Sequence, residues 1–268
     1  FLAGGVEARF SLPSTKAPAG LKTFDAGIEK AGSPVLVAEC ARMAEELKSR
    51  TKGEITAGAW ISEETLRIAN TKGFDASVRW SDCVVRAGAG FPGSASGIFR
   101  LSNSMDFAGM PQAALDEIVW LFNAGMREVE PEGGRIKVLF MPDAMLALAW
   151  RLMHGASAKS VYEKVSPLAG KAGEKVFSPE LSVTDHPLDD SRPGARVFDD
   201  EGTASAKFRV VEKGVFQGFY NDLHYAKKLG ERPTGHGYRT AMWGGYPLEL
   251  KPMPWLAHLR IEPGTKSL

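Results

Sequence analysis

The hydrophobic period changes partway along this chain, and that change restricts the fold more than any single residue does. From Pro34 to about Arg50 apolar residues recur on one helical side: Val35, Val37, Ala38, Cys40, Ala41, Ala44 and Leu47, with Glu45, Glu46, Lys48 and Arg50 towards the polar side or the end. Ser33 is placed to cap this helix, and Pro34 suits its first turn. Beyond it the period drops to two. "GEITAGAWI" and "TLRIANTKGF" predict two strands joined by a polar turn; "ASVRWSDCVVRAGAG" and "GSASGIFRLSNS" predict two more. A helix followed by successive strands with short turns builds an antiparallel meander with helices, an α+β arrangement.

Helical spacing returns from Pro111 to Met126, where Leu115, Ile118, Val119 and Phe122 share a face. The Pro/Gly stretch "EPEGG", residues 130–134, is the best linker, which divides the chain into an α+β domain over 1–133 and a second domain over 134–268. In the second domain "RIKVLFM" has the composition of a buried strand. "PDAMLALAWRLMH" predicts a helix opened by Pro142, with Met145, Leu148, Ala149, Leu152 and Met153 forming one buried stripe. "SAKSVYEK" is a short helix. From Leu181 the chain is strand-rich and is expected to form a β-barrel-like body. Its clearest hairpin turns at Glu212-Lys213-Gly214, Gly214 taking the left-handed position. "DLHYAKKLG" is a helix stopped by Gly230, and "PTGHGYR" is a glycine-punctuated loop.

At 268 residues with 44% hydrophobic content the chain buries a substantial core. Its formal net charge of +1 lacks the basic footprint of a nucleic-acid binder. Cys40 and Cys83 form no CxxC pair, which fits a reducing cytoplasm, although a single bridge between them stays open until geometry decides. No apolar run reaches the length of a membrane span.

Individual motifs leave the chemistry incomplete. His154 sits beside the apolar stripe in the last helical turn, where it can donate to the final carbonyls and gain from the helix dipole, with Gly155 ending the helix. No HExxH accompanies it. Asp185 and His186 are adjacent, and on a strand they point to opposite faces. "FDDEG", Phe198 to Gly202, bunches acids that attract a cation or simply build a turn. "GHG", Gly235 to Gly237, lets backbone approach a ligand or a neighbouring strand. Neither a P-loop nor a GxSxG elbow is present.

The run "GEKVFSPELSVTDHP…GARVFDDEGTASAKFRVVEKGVFQGFYNDLHYAKKLGERPTGHGYR" resembles the TldD/PmbA family, also called modulators of DNA gyrase. "FDDEGT", the hairpin and following helix, and "PTG.G.R" stand in the family's order and spacing. "NTKGFDASVRWSDCVVRA" and "SNSMDFAG" are similar more loosely. The family pattern extends beyond both ends, so the chain is expected to be an internal fragment or a shortened relative. The resemblance implies zinc chemistry in the family's catalytic type, which carries H-E-x-x-x-H on the helix after the linker and a later cysteine ligand. Here that motif falls on "AWRLMH": Ala149 at the first histidine, Trp150 at the glutamate, His154 at the second histidine. Alanine and indole offer no metal ligand or base.

The branch implied is therefore the non-catalytic, PmbA/TldE-like one. It implies no metal or cofactor in this chain, zinc in a TldD-like partner, and assembly with that partner or with itself. It also implies unfolded peptide as substrate, with no nucleic acid and no membrane. Candidate peptide-contacting residues are His154, Gly155, Asp200, Gly235 and His236. Two other functions are weighed beside it. One is an active metallopeptidase recruiting His154, His186 or His236; the other is a peptide-binding or structural module without catalysis.

Overall fold

The computed structural model describes residues 11–14, 20–127, 129–130, 132–242 and 244–265, with Asp143 described by its backbone alone. The chain forms two compact units that interleave in sequence, one from 23–64 and 79–145, the other from 1–22, 65–78 and 146–268. The unit changes at Met145/Leu146 rather than within the Pro/Gly stretch at 130–134, so compactness and composition mark different points.

The first unit is built on helix α1 (Ser33–Arg50), strands β1 (Glu54–Ala69), β2 (Asp75–Gly90) and β3 (Gly97–Ser104), and helix α2 (Gln112–Gly125). Gly32, not Ser33, is the N-cap of α1, and it makes no side-chain cap; Ser33 is already helical. The buried face of α1 runs through Glu39, Met43 and Leu47, whereas Val35 and Val37 are exposed. Buried Glu39 is satisfied by the Arg42 guanidinium and by the backbone N–H of Met110 at 2.7 Å. That stabilises the carboxylate and holds its pKa below the ordinary range, the Arg42 hydrogen bond being the largest cause.

β1 is a single 16-residue strand, not two. The expected turn at Ser62-Glu63-Glu64 is instead exposed mid-strand, and Glu63 there pairs with Arg79 of β2 at 2.7 Å. The turn to β2 comes at Asn70, whose side-chain oxygen accepts from the N–H groups of Lys72 and Phe74. β3 pairs antiparallel with β2 from Cys83↔Ser104 to Gly90↔Gly97. Leu115, Ile118, Val119 and Phe122 of α2 are buried as their spacing predicts, packing with Met43, Leu47, Cys83 and Val85. Cys40 and Cys83 are both free thiols.

Residues 135–141 are not a strand. Ile136, Val138 and Leu139 are 58%, 62% and 65% exposed. Composition supplied the apolar side chains, but no neighbouring strand takes up their backbone groups among the described residues.

The second unit holds α3 (Met145–Gly155), α4 (Ala158–Tyr162), β4 (Val183–Asp185), β5 (Phe208–Glu212), β6 (Val215–Phe216), α5 (Leu223–Leu229), β7 (Gly237–Tyr238), β8 (Met253–Pro254) and β9 (Leu259–Ile261). Its sheets have the orders β6-β5-β4-β9 and β7-β8, with antiparallel pairings. These sheets do not close into the expected barrel among the described residues; the class is α+β. The β5–β6 hairpin turns through Lys213 (φ 47°) and Gly214 (φ 83°). A side chain on Gly214 would meet the Phe177 carbonyl at 2.6 Å, so glycine is required there by both dihedral and space. α5 is capped by the Asp222 carboxylate on the Tyr225 N–H and ends on left-handed Gly230. No described helix is long and apolar enough to cross a membrane.

Candidate functional site

A short 3-10 turn, Pro142–Ala144, leads into α3. The continuous buried stripe expected on this helix is absent: Leu148 is 41% exposed, Met145, Ala149 and Leu152 are half-buried, and of the stripe only Met153 is buried. The cause is where the helix is held. The Tyr220 hydroxyl donates to the Met153 carbonyl at 2.8 Å, and the Ser166 hydroxyl donates to the Gly155 carbonyl at 2.6 Å. Backbone bonds from Tyr220 to Ala156 and from Ala158 to Tyr220 complete the clamp. Anchoring is thus concentrated at the last turn. Gly155 is the final helical residue and is not left-handed.

One helical turn apart, the Trp150 and His154 rings are in contact at a tilt of 47° with centroids 4.5 Å apart, and the Trp255 ring meets Trp150 edge-on at 5.7 Å. Partial burial, with the positive Lys159 as the smaller cause, pushes the His154 imidazole below its ordinary 6.5. His154, Gly155 and Trp150 border a cleft of about 560 Å³ completed by Lys159, Ser160, Glu163, Tyr220, Met253 and Trp255. Trp255 and Tyr220 have no counterpart among the residues singled out from sequence. Tyr220 is nevertheless written into the hairpin-helix run, and Trp255 follows a Pro-Met-Pro stretch.

The remaining sequence candidates form the support behind this cleft. β8, which supplies Met253 to the cleft wall, pairs with β7, and the Trp255 N–H donates to the His236 carbonyl at 2.9 Å. His236 is fully buried, so its side chain is a structural anchor and not a contact for solvent-borne peptide. Thr234 Oγ1 accepts from the Asn221 N–H and donates to the Asn221 carbonyl. It can then only accept from His236 Nδ1, 2.9 Å away, which assigns the proton to Nδ1. Nε2 lies 3.4 Å from Asp185 Oδ2, both residues 0% exposed. Asp185 thus faces His236, 51 positions along the chain, and not its neighbour His186. Its other oxygen accepts from the His258 N–H at 2.7 Å.

"FDDEG" is a turn whose acids hold backbone. Asp199 is buried and accepts from the N–H groups of Glu201, Thr203 and Gly237 at 3.0, 2.8 and 2.9 Å. Burial nevertheless outweighs those three donors and pushes its carboxyl up to about 6. Asp200 joins Arg196 at 2.6 Å and accepts from the Arg239 N–H at 2.7 Å. Glu201 accepts from the Leu223 N–H at the start of α5 and occupies the space a side chain on Gly237 would need. Burial, then neighbouring acidic charges, raise Glu201 to about 8 against the opposing Leu223 hydrogen bond. Gly235 (φ +75°) presses on the Ala204 carbonyl, where a side chain would stand 2.7 Å away. Asp200, Gly235 and His236 therefore fix the β7–β8 wall; His154 and Gly155 line the cleft itself.

The donor set does not fit zinc. Ala149 and Trp150 provide no lone pair, and positions 149 and 154 of a regular helix point roughly 140° apart. Among the described residues no three His, Cys, Asp or Glu side chains converge as a metal site. Ala149→His with Trp150→Glu should therefore give no zinc-dependent peptidase activity in the isolated chain. Turnover of an unfolded peptide that chelator abolishes and zinc restores would overturn this.

Residues 133–268 match the PmbA/TldA metallopeptidase C-terminal domain. A metalloprotease of Methanothermobacter thermautotrophicus is 30% identical over 138 residues, covering 51% of this chain and 29% of the relative. A metalloprotease TldD homolog of Haemophilus influenzae is 33% identical over 88 residues, covering 33% and 18%. The crystal structure of TldE from Thermococcus kodakarensis superposes with a TM-score of 0.78 at 21% identity, covering 100% of this chain and 60% of that one. The matched part thus spans less than a third of each of these two sequence relatives, and the chain spans three-fifths of the TldE structure. The match over half the chain, together with the shared fold, makes this protein a member of the PmbA/TldD family.

Proposed function

We propose that this chain is a non-catalytic, PmbA/TldE-like subunit of a TldD-type zinc peptidase that matures or degrades peptides. One observation carries the reading. At the helix position where the family's catalytic type has its two histidines and glutamate, this chain has alanine, an indole and one histidine, and the indole is packed on that histidine. The site is occupied by aromatic packing instead of ligands. The zinc belongs to a TldD-like partner, and the assembly is made with that partner or with a second copy of this chain. The substrate is unfolded peptide bound in extended form, which backbone hydrogen bonds to free strand edges can hold. The compartment is the cytoplasm, and with a net charge of +1 nucleic acid has no part in it. The names carried by the TldE structure and the TldD homolog support the pairing.

The test is reconstitution. Mixed with an HExxxH-bearing TldD-like protein of the same genome, the chain is expected to co-elute as a complex of defined mass. The mixture should cleave an unfolded peptide in a zinc-dependent way that neither protein manages alone. Failure to form any complex across a range of salt and pH would remove the proposal.

A further inference from the structure

The cleft beside α3 has a composition that selects its occupant. Its apolar surface comes chiefly from the Trp150 and Trp255 indoles and Met253. The two half-buried indoles meeting edge-on form an apolar wall suited to a bulky apolar side chain, and the methionine beside them adapts to its shape. Tyr220 lies behind this wall, 1% exposed, with its hydroxyl donated to the Met153 carbonyl. The charges lining the cleft are Arg151, Lys159 and Glu163. Lys159 and Glu163 stand 4.0 Å apart and largely offset each other. Arg151 has no ion-pair partner among the described residues. The balance beside the indoles is therefore one net positive charge carried by a guanidinium, the group best shaped to receive a carboxylate.

Aromatic pairs also attract cations, and that reading fails here on charge. A lysine or arginine side chain entering the cleft would gain from the indoles but meet Arg151 and Lys159, while Glu163 is already engaged. An apolar side chain next to a carboxylate satisfies both halves of the cleft.

We propose that the cleft is a side-chain selectivity pocket for extended peptide, taking a large aromatic or aliphatic side chain against the joined Trp150 and Trp255 indoles with an adjacent carboxylate on Arg151. This rests on the reading of the chain as a peptide-handling subunit, and it assigns to the non-catalytic chain a share in choosing the substrate. The carboxylate is a peptide's own C-terminus or an acidic residue beside the apolar one.

Isothermal titration of the full chain with four short peptides tests this: Gly-Gly-Phe with a free C-terminus, its C-terminal amide, Gly-Gly-Phe-Asp-amide and Gly-Gly-Phe-Lys-amide. At least one of the two acidic peptides is expected to bind about tenfold more tightly than the lysine peptide, and which of them does so identifies the carboxylate's source. Trp150→Ala, on a solvent-facing turn of α3, should weaken that binding about tenfold, with Trp255→Ala as a second indole test. Arg151→Gln should weaken it about threefold and reduce its salt dependence. The inference is overturned by equal or tighter binding of the lysine peptide, by indifference to both Trp150→Ala and Arg151→Gln, or by no binding of either acidic peptide at millimolar concentration. Its failure is separable from that of the subunit reading: assembly with a TldD-like partner without peptide discrimination sinks only the pocket, and discrimination without assembly sinks only the subunit.

Discussion

Asp199→Ala is expected to destabilise the fold by about 3 kcal/mol, because it leaves the N–H groups of Glu201, Thr203 and Gly237 without the acceptor that joins them. The residue is 1% exposed, so water cannot readily replace the carboxylate. Asp199→Asn should cost less. Its remaining carbonyl oxygen can keep the Glu201 and Thr203 bonds, but its amide then opposes the Gly237 N–H donor to donor. Urea unfolding followed by fluorescence would order the three proteins as parent, Asn, Ala. An alanine variant within about 0.5 kcal/mol of the parent would show that the turn holds itself without this side chain.

The second large effect is a pH dependence centred on Glu201. Its carboxyl is raised from an ordinary 4.5 to about 8, first by burial and then by the negative charges of Asp199, Asp222 and Asp200. An acid with a raised folded pKa binds its proton more tightly in the native state. Its contribution is therefore fully present below about pH 4.5 and is lost as pH rises through about 8. A rise of that size corresponds to about 5 kcal/mol over the full range, and partial solvent access reduces the expected loss to roughly 3 kcal/mol. Glu201→Gln keeps an oxygen for the Leu223 N–H and removes the titration. It should match the parent near pH 5 and exceed it in melting temperature near pH 8.5. Parallel melting curves for the two proteins across that interval would sink the assignment. Asp199, raised to about 6, adds a fall of the same sign at lower pH, and Glu201→Gln leaves that part in place.

Local chemistry was legible wherever neighbours in sequence decide the outcome. The α2 face, the Lys213-Gly214 turn and the Gly230 stop of α5 follow from spacing, dihedral freedom and capping. Reading failed where a distant partner decides. Ser62-Glu63-Glu64 looks like a turn until β2 pairs alongside it, with Arg79 then reaching Glu63. "RIKVLFM" looks like a buried strand, yet it needs a neighbouring strand that its own letters cannot provide. The α3 stripe was expected to be buried along its length because periodicity reports a face but not how far along the helix packing extends; Tyr220 grips only the last turn. The cleft was half legible, since the motif alignment pointed to Trp150 and His154. Trp255 and the Asp185–His236 pairing come from chain segments far from those they meet, and no local pattern signals them.

The interleaving of the two units has a consequence for biosynthesis. Phe74, at the tip of the β1–β2 hairpin, is 3% exposed and packs edge-on against Phe198 at 5.5 Å, with Val197 beside it. Residues 79–145 of the other unit are translated between those two phenylalanines. During vectorial synthesis the hairpin tip therefore emerges with Leu21, Leu66, Ile68, Ala76 and Val78 available to it but without the Val197 and Phe198 part of its cluster, which comes only when "FDDEG" leaves the ribosome. The turn that fastens β7 to α5 also closes an interval in which Phe74 lacks its aromatic partner, a window in which a chaperone has more to grip than it will find on the finished molecule.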